Sequence, residues 1–193
     1  MNRGYHEIKE HGKREFPFNI YPCSIPVDFS HVALHWHEEM EIIAVKKGKG
    51  RITVDTVSYP VEEGDILAVF PGQLHAISCG NGERMEYENI IFRLSMLMGD
   101  NGDGCTVHFL KPLQEGQAKN PVLIQRNQPD HEVFGKVIQE LDRFSEIRGN
   151  GYQLAVKGQL FLFLYYAYGR GILFTEKKPG HAREKIKGIL EYI

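Results

Sequence analysis

Residues 35–48 read HWHEEMEIIAVKKG, and about thirty residues later residues 64–75 read GDILAVFPGQLH. Side chains two apart on an extended strand emerge on the same face, so His35 and His37 converge while Trp36 points the other way into packing. Glu41 follows three residues after His37. The run Glu41–Lys47 reads as a strand that turns at Lys47-Gly48-Lys49-Gly50 into a second strand, Arg51–Asp55, making a hairpin. In the second stretch Gly64-Asp65 opens an apolar strand, Ile66–Phe70, and Pro71-Gly72 turns the chain before His75. Three imidazoles and one carboxylate, His35, His37, His75 and Glu41, thereby come in an order that a small barrel brings to one point. They are the candidate ligand-binding residues and the candidate metal ligands.

The rest of the first 110 residues repeats the same grammar. Short strands at Val32–His37, Met40–Lys46, Arg51–Asp55, Val57–Val61, Ile66–Phe70, His75–Cys79 and Met85–Leu94 alternate with turns rich in Gly, Pro and Asn. Many short strands with no helix between them predict an all-β sandwich or barrel and exclude a parallel α/β sheet. Residues 1–16 read as a polar arm. Phe16, Phe18 and Tyr21 belong to an irregular strand lying across the barrel mouth, and Pro17, Pro22 and Pro26 keep that strand off a central position. Gly99–Gly104 is a loop without the ligand spacing of a calcium-binding helix-loop-helix, and Thr106–Leu110 is one further strand.

After Pro129 the period changes. Val133, Phe134, Val137, Ile138, Leu141 and Phe144 recur at helical steps behind an Asp130 N-cap, in a helix ending near Arg148-Gly149. A second helix follows from Tyr152 to Tyr168, stopped at Gly169. Its second half is apolar over more than one face, which calls for a partner, most simply a second copy of the chain. Leu154, Phe161, Leu164 and Tyr165 are the candidate dimer-interface residues. Residues 171–182 form a polar linker, and Arg183–Ile193 begins a third amphipathic helix whose pattern is cut short.

The bulk properties fit this architecture. A chain of 193 residues with 42% hydrophobic and 25% charged residues is that of a globular domain with a helical appendage. A net charge of -2 gives no basic footprint for nucleic acid. Cys23, Cys79 and Cys105 are widely spaced, which excludes a thiolate zinc site and a disulfide framework. With no signal-peptide core at the N-terminus and no apolar run long enough for a bilayer, a cytoplasmic protein is expected.

The two opening stretches resemble the paired motifs of the cupin superfamily: HxH, three residues, Glu, six residues, Gly, and later a Gly eleven residues before a third His. Gly64, Gly72 and His75 match the second motif, while Pro71 comes one position late and Cys79 stands where that family has Asn. With HWHEEMEI, GDILAVFPGQLH, YENIIFRLSML, two helices and REKIKGILEYI in this order, residues 27–193 resemble the sensor domain of AraC-type transcription regulators. The resemblance implies a mainly β fold with an α appendage. A cupin-like double-stranded β-helix (jelly-roll) barrel over 17–115 is followed by two dimerisation helices over 130–170 and by 183–193 as the start of a truncated helix-turn-helix domain. It also implies a small-molecule effector such as a sugar or an organic acid, a homodimer, no enzymatic activity, and DNA binding only through the C-terminal domain. The alternative is a metal-dependent cupin enzyme of the dioxygenase or sugar-isomerase type. Neutral imidazoles and one carboxylate suit zinc, nickel, iron or manganese, and the same side chains suit direct hydrogen bonds to an effector.

Overall fold

The computed structural model describes residues 5–7, 9–100, 102–172 and 174. Within them the strands are β1 (Phe18–Ile25), β2 (Val32–His35), β3 (Met40–Val54), β4 (Val57–Glu62), β5 (Ile66–Val69), β6 (His75–Ser78), β7 (Met85–Phe92) and β8 (Val122–Ile124). The helices are α1 (Lys111–Gln114), α2 (His131–Ile147) and α3 (Tyr152–Gly169), with a 3-10 turn at Leu94–Leu97. One sheet runs β1-β7-β3-β5-β8, and β2, β6 and β4 join through the far half of β3, all pairs being antiparallel. Two packed antiparallel sheets sharing a bent strand make the double-stranded β-helix.

The expected hairpin at Lys47–Gly50 does not form. Residues 40–54 are one 15-residue strand. Its first half pairs β5 and β7 and its second half pairs β4 and β6. The change of partners needs a corner, supplied by a register shift between Val45 and Lys47 against β7 and by Gly48 at φ 77°. Extra residues in one strand bend it and raise its twist without reversing it. A Cβ at Gly48 would stand 2.1 Å from the Arg84 carbonyl oxygen. Gly48→Ala is therefore expected to cost about 2 kcal/mol or more through strain at positive φ and displaced backbone, read as a lowered urea midpoint with unchanged slope.

Alternation along β3 divides the core in two. Met40, Ile42 and Ala44 face outward with Ile66, Ala68, Phe70, Ile90 and Phe92 and pack under the helices. Ile43, Val45, Ile52 and Val54 face the barrel interior with Ile25, Leu67, Val69, Ile77, Met85 and Tyr87. Glu41 shares the interior parity. The helices close over the outward face through Phe134, Val137, Ile138 and Leu141 of α2 and Val156, Leu160, Phe163, Leu164 and Ala167 of α3. Lys46 reaches from β3 to Glu88 of β7 and to Asp142 of α2, the latter at 2.9 Å, which ties the helical pair to the sheet.

Several expected elements differ in detail. β1 is a regular eight-residue strand that, among the described residues, pairs with β7 alone, so its proline occupies an edge as expected, but the strand is not irregular. Phe16 packs on Tyr152 of α3 with ring centroids 5.7 Å apart and Phe18 is buried among the outward-facing core residues, so neither covers the mouth. The sheet also extends past residue 115 to β8. Thr106–Leu110 is helical, of π type, and runs into α1. The Asp103 carboxylate accepts from the Thr106 amide at 2.8 Å and its hydroxyl at 2.7 Å, a helix-start bond that outweighs the strand propensity of Thr-Val-His-Phe. Asp130 stands at the N-cap of α2 without capping it. Its carboxylate accepts two bonds of 2.7 Å from Arg170, which also donates to Gln128 and to the Leu123 carbonyl. The linker at 171–182, in all but Gly171, Ile172 and Phe174, and the helix at 183–193 lie outside the described residues.

Candidate functional site

β2 ends at His35, β3 begins just before Glu41, and His75 opens β6 opposite both, in register with His35 and Val54. The antiparallel pairing thus gathers all four expected residues. Their ligand atoms lie within 4.8 Å of one another. Glu41 Oε2 is 3.0 Å from Nε2 of both His37 and His75. The His35 ring lies 4.2 Å from that of His75 and 5.7 Å from that of His37, centroid to centroid.

Each imidazole is oriented from behind by a backbone carbonyl two residues away. Nδ1 of His35 donates to Ala33 at 2.9 Å, that of His37 to Glu39 at 3.1 Å, and that of His75 to Gln73 at 3.0 Å. This network assigns the proton to Nδ1 and leaves Nε2 as a lone pair aimed at the centre. Behind His37, the Glu39 carboxylate is buried and receives Nε of Arg93 at 2.8 Å. A carbonyl or carboxylate holding the far nitrogen is the arrangement that prepares histidine for a metal.

The electrostatics of the cluster follow from burial and from the contacts within it. Burial acts to raise the Glu41 pKa, but the electrostatic interaction with His75 and the contacts with the His37 and His75 imidazoles outweigh it and hold it far below the usual carboxylate range. Burial acts against charge on His37, yet its bond to Glu41 and the nearby carboxylates raise its pKa. His35 is pushed down by burial and by His75. With Nδ1 committed to carbonyls, two Nε2 lone pairs and a carboxylate oxygen face each other at 3.0 Å. Electron-rich atoms hold such distances only with protons or a cation between them, and two buried imidazolium ions side by side are costly. Three nitrogens and one carboxylate therefore fit a divalent transition metal, which would be held by His35, His37, Glu41 and His75.

The sequence did not single out His11 or Glu7 as neighbours of this cluster, whereas Tyr21 was expected at the barrel mouth. His11 is buried, with Nδ1 3.2 Å from the Tyr21 hydroxyl and its ring 6.2 Å from that of His37. Glu7 Oε2 is 3.3 Å from His35 Nε2. Trp36 packs as expected, stacked on His6 at 4.0 Å. Of the candidate interface residues, Leu154, Phe161 and Tyr165 are exposed, but Leu164 is buried within its own chain. It forms the floor of an apolar crevice of about 200 Å³ whose walls include Phe109, Phe161 and Tyr165.

A jelly-roll barrel with an inward cluster of three histidines and a glutamate is a cupin architecture. Residues 26–164 match the family described as the AraC-like ligand binding domain, and the chain belongs to that family. YdeC of Bacillus subtilis (strain 168), an uncharacterized HTH-type transcriptional regulator, is 27% identical over 88 residues, 45% of this chain and 30% of YdeC. The chain thus spans less than a third of that relative. Among solved structures, ToxT from Vibrio cholerae superposes with a TM-score of 0.50 at 15% identity, over 92% of this chain and 65% of that one, a likeness of fold. A cupin 2 conserved barrel domain protein from Salinispora arenicola overlaps 42% of this chain and 68% of its own, at 22% identity and a TM-score of 0.38. No helix among the described residues is long and apolar enough to cross a membrane.

Proposed function

We propose that this chain is the effector-sensing and dimerisation part of a cytoplasmic AraC-type transcription regulator. A small molecule bound in the barrel beside His35, His37, Glu41 and His75 controls DNA binding by a helix-turn-helix domain that follows the linker. The observation that carries the ligand site is the gathering of three backbone-oriented imidazoles round one buried carboxylate, with Nε2 of His37 and of His75 each 3.0 Å from it and all four ligand atoms within 4.8 Å of one another. A divalent zinc, nickel, iron or manganese ion there presents a positive centre to the effector and, in this reading, anchors it without turnover. The family assignment favours a regulator over a metal-dependent dioxygenase or isomerase. Elemental analysis of the purified chain, with thermal shifts against a metabolite panel for wild type and His37→Ala, tests it. A metal at roughly one per chain and a metabolite shift lost in the variant are expected. Metal-dependent conversion of any hit would instead establish the enzyme.

The dimer is proposed to form through α3. Leu154, Phe161, Leu162 and Tyr165 are 77, 40, 42 and 71% exposed, with Val107 and Phe109 exposed on the π-helical segment. Phe109 and the pair Phe161 and Tyr165 share the walls of one crevice. Contiguous aromatic surface of this kind is characteristic of interfaces between protein chains. Tyr165→Glu is expected to weaken self-association about 100-fold and to leave monomer at tens of micromolar in sedimentation velocity. An unchanged dimer would move the interface elsewhere.

A further inference from the structure

The three imidazoles are not equally enclosed. The side chains of His37 and His75 are 2% and 1% exposed, and that of His35 is 17% exposed. The cluster therefore opens to the outside beside His35, and a segment of the same chain stands there. The Glu7 amide donates to the Trp36 carbonyl at 2.9 Å, the Trp36 amide donates to the Tyr5 carbonyl at 2.8 Å, and the His6 ring stacks on Trp36. The arm is thus bridged in parallel to the residue between the two histidines of the motif. This places Glu7 Oε2 3.3 Å from His35 Nε2, while His35 Nδ1 is committed to the Ala33 carbonyl.

On their Nε2 side the imidazoles are accordingly faced by two carboxylates, Glu41 from the barrel wall and Glu7 from the mouth, with Glu39 standing behind His37. They differ in how they are held. Glu41 is buried within the long strand β3, whereas the Glu7 side chain is 31% exposed on a segment that, among the described residues, meets Trp36 through two backbone bonds and a ring stack and meets Tyr21 through Lys9 and His11. Glu7 Oε2 stands 3.3 Å from one imidazole nitrogen as Glu41 Oε2 stands 3.0 Å from two others, but only Glu7 lies outside the barrel strands and can leave without unfolding them.

Resting on the metal reading above, we propose that Glu7 is a built-in competitor for the effector. Its carboxylate holds the mouth-side position of the metal centre, and the effector is a small carboxylate that takes this position and frees the arm. Exchange of one carboxylate for another at a cation is nearly balanced in charge and hydrogen bonding, so a modest effector concentration reverses it. A neutral hydroxyl exchanging for Glu7 would have to expel an anion from a positive centre, which disfavours an uncharged sugar. The internal ligand lowers the apparent affinity for the effector by the fraction of chains in which it is displaced, and its removal restores that affinity.

The experiment loads the 193-residue chain with Co²⁺, titrates it with succinate, lactate and glucose, and follows the cobalt absorption together with tryptic cleavage after Lys9. For wild type, succinate or lactate is expected to accelerate cleavage at least threefold, and glucose to leave it unchanged. Glu7→Gln is expected to bind the carboxylates about tenfold more tightly and to be cleaved rapidly without them. Trp36→Ala, which removes the ring stack but keeps Glu7, serves as the second variant and is expected to be cleaved rapidly as well. Tight Co²⁺ binding with equal carboxylate affinity in wild type and Glu7→Gln overturns this inference alone. Failure of wild type to bind Co²⁺ overturns the metal reading and this inference with it.

Discussion

Glu41→Gln is expected to lower divalent metal affinity at least 100-fold while leaving the melting temperature of the metal-free chain within a few degrees of wild type. The substitution preserves size and removes the negative charge that offsets half the charge of a divalent ion, and a neutral amide oxygen is a much weaker ligand for zinc or nickel. The amide also brings a donor. In the metal-free chain its N–H group meets the Nε2 lone pairs of His37 and His75, which now stand 3.0 Å from a carboxylate oxygen. The opposite pattern follows if Glu41 is instead the counter-ion of buried imidazolium groups. Breaking such a pair then costs on the order of 3–5 kcal/mol, and the metal-free variant melts far lower. Zinc titration calorimetry with melting in the presence and absence of EDTA separates the two.

Phe134→Ala is expected to destabilise the chain by about 3–5 kcal/mol, a large share of the roughly 5–15 kcal/mol that holds a typical domain together. Phe134 is fully buried where α2 meets α3, edge-on to Phe163 at 5.3 Å and to Tyr166 at 5.8 Å. These rings fill the seam between the helices and the outward face of the barrel sheet. Other residues cannot collapse into the gap, because the sheet beneath is held by hydrogen bonds to both neighbours of β3. For a chain of this length each kcal/mol moves the midpoint by about 2–4 °C, so thermal unfolding is expected to begin about 10 °C or more lower. The proposed metal site, on the other face of β3, is expected to retain its affinity below that temperature. Loss of metal binding in the folded variant would mean that the helices shape the barrel interior.

These two residues mark how far the sequence reaches. Glu41 was legible because its chemistry depends on spacing along one strand and on two motifs at a fixed interval. Phe134 was legible because the helical period of α2 is local. Tyr165 and Leu164 were not separable, since an apolar residue next to another on an overfilled helix gives no sign of which one meets the sheet. Asp130 looked like a cap and is one in position only, because Arg170 arrives from forty residues later and takes its carboxylate.

By itself the sequence determined the strand-rich barrel, the two helices and the four residues at its centre, because alternation, helical period and motif spacing are properties of neighbouring residues. Only the tertiary structure decided that residues 40–54 continue round a corner instead of reversing, since Gly48 permits both and the pairing with β4, β6 and β7 selects one. It also decided which arm residues reach the mouth. Phe16 and Phe18 were drawn into the helical core, where their apolar area is removed from water. Glu7 and His11, polar and without any motif, were carried to the histidines by backbone bonds to Trp36 and by Tyr21. Contacts of that kind join segments far apart along the chain, and no local pattern records them.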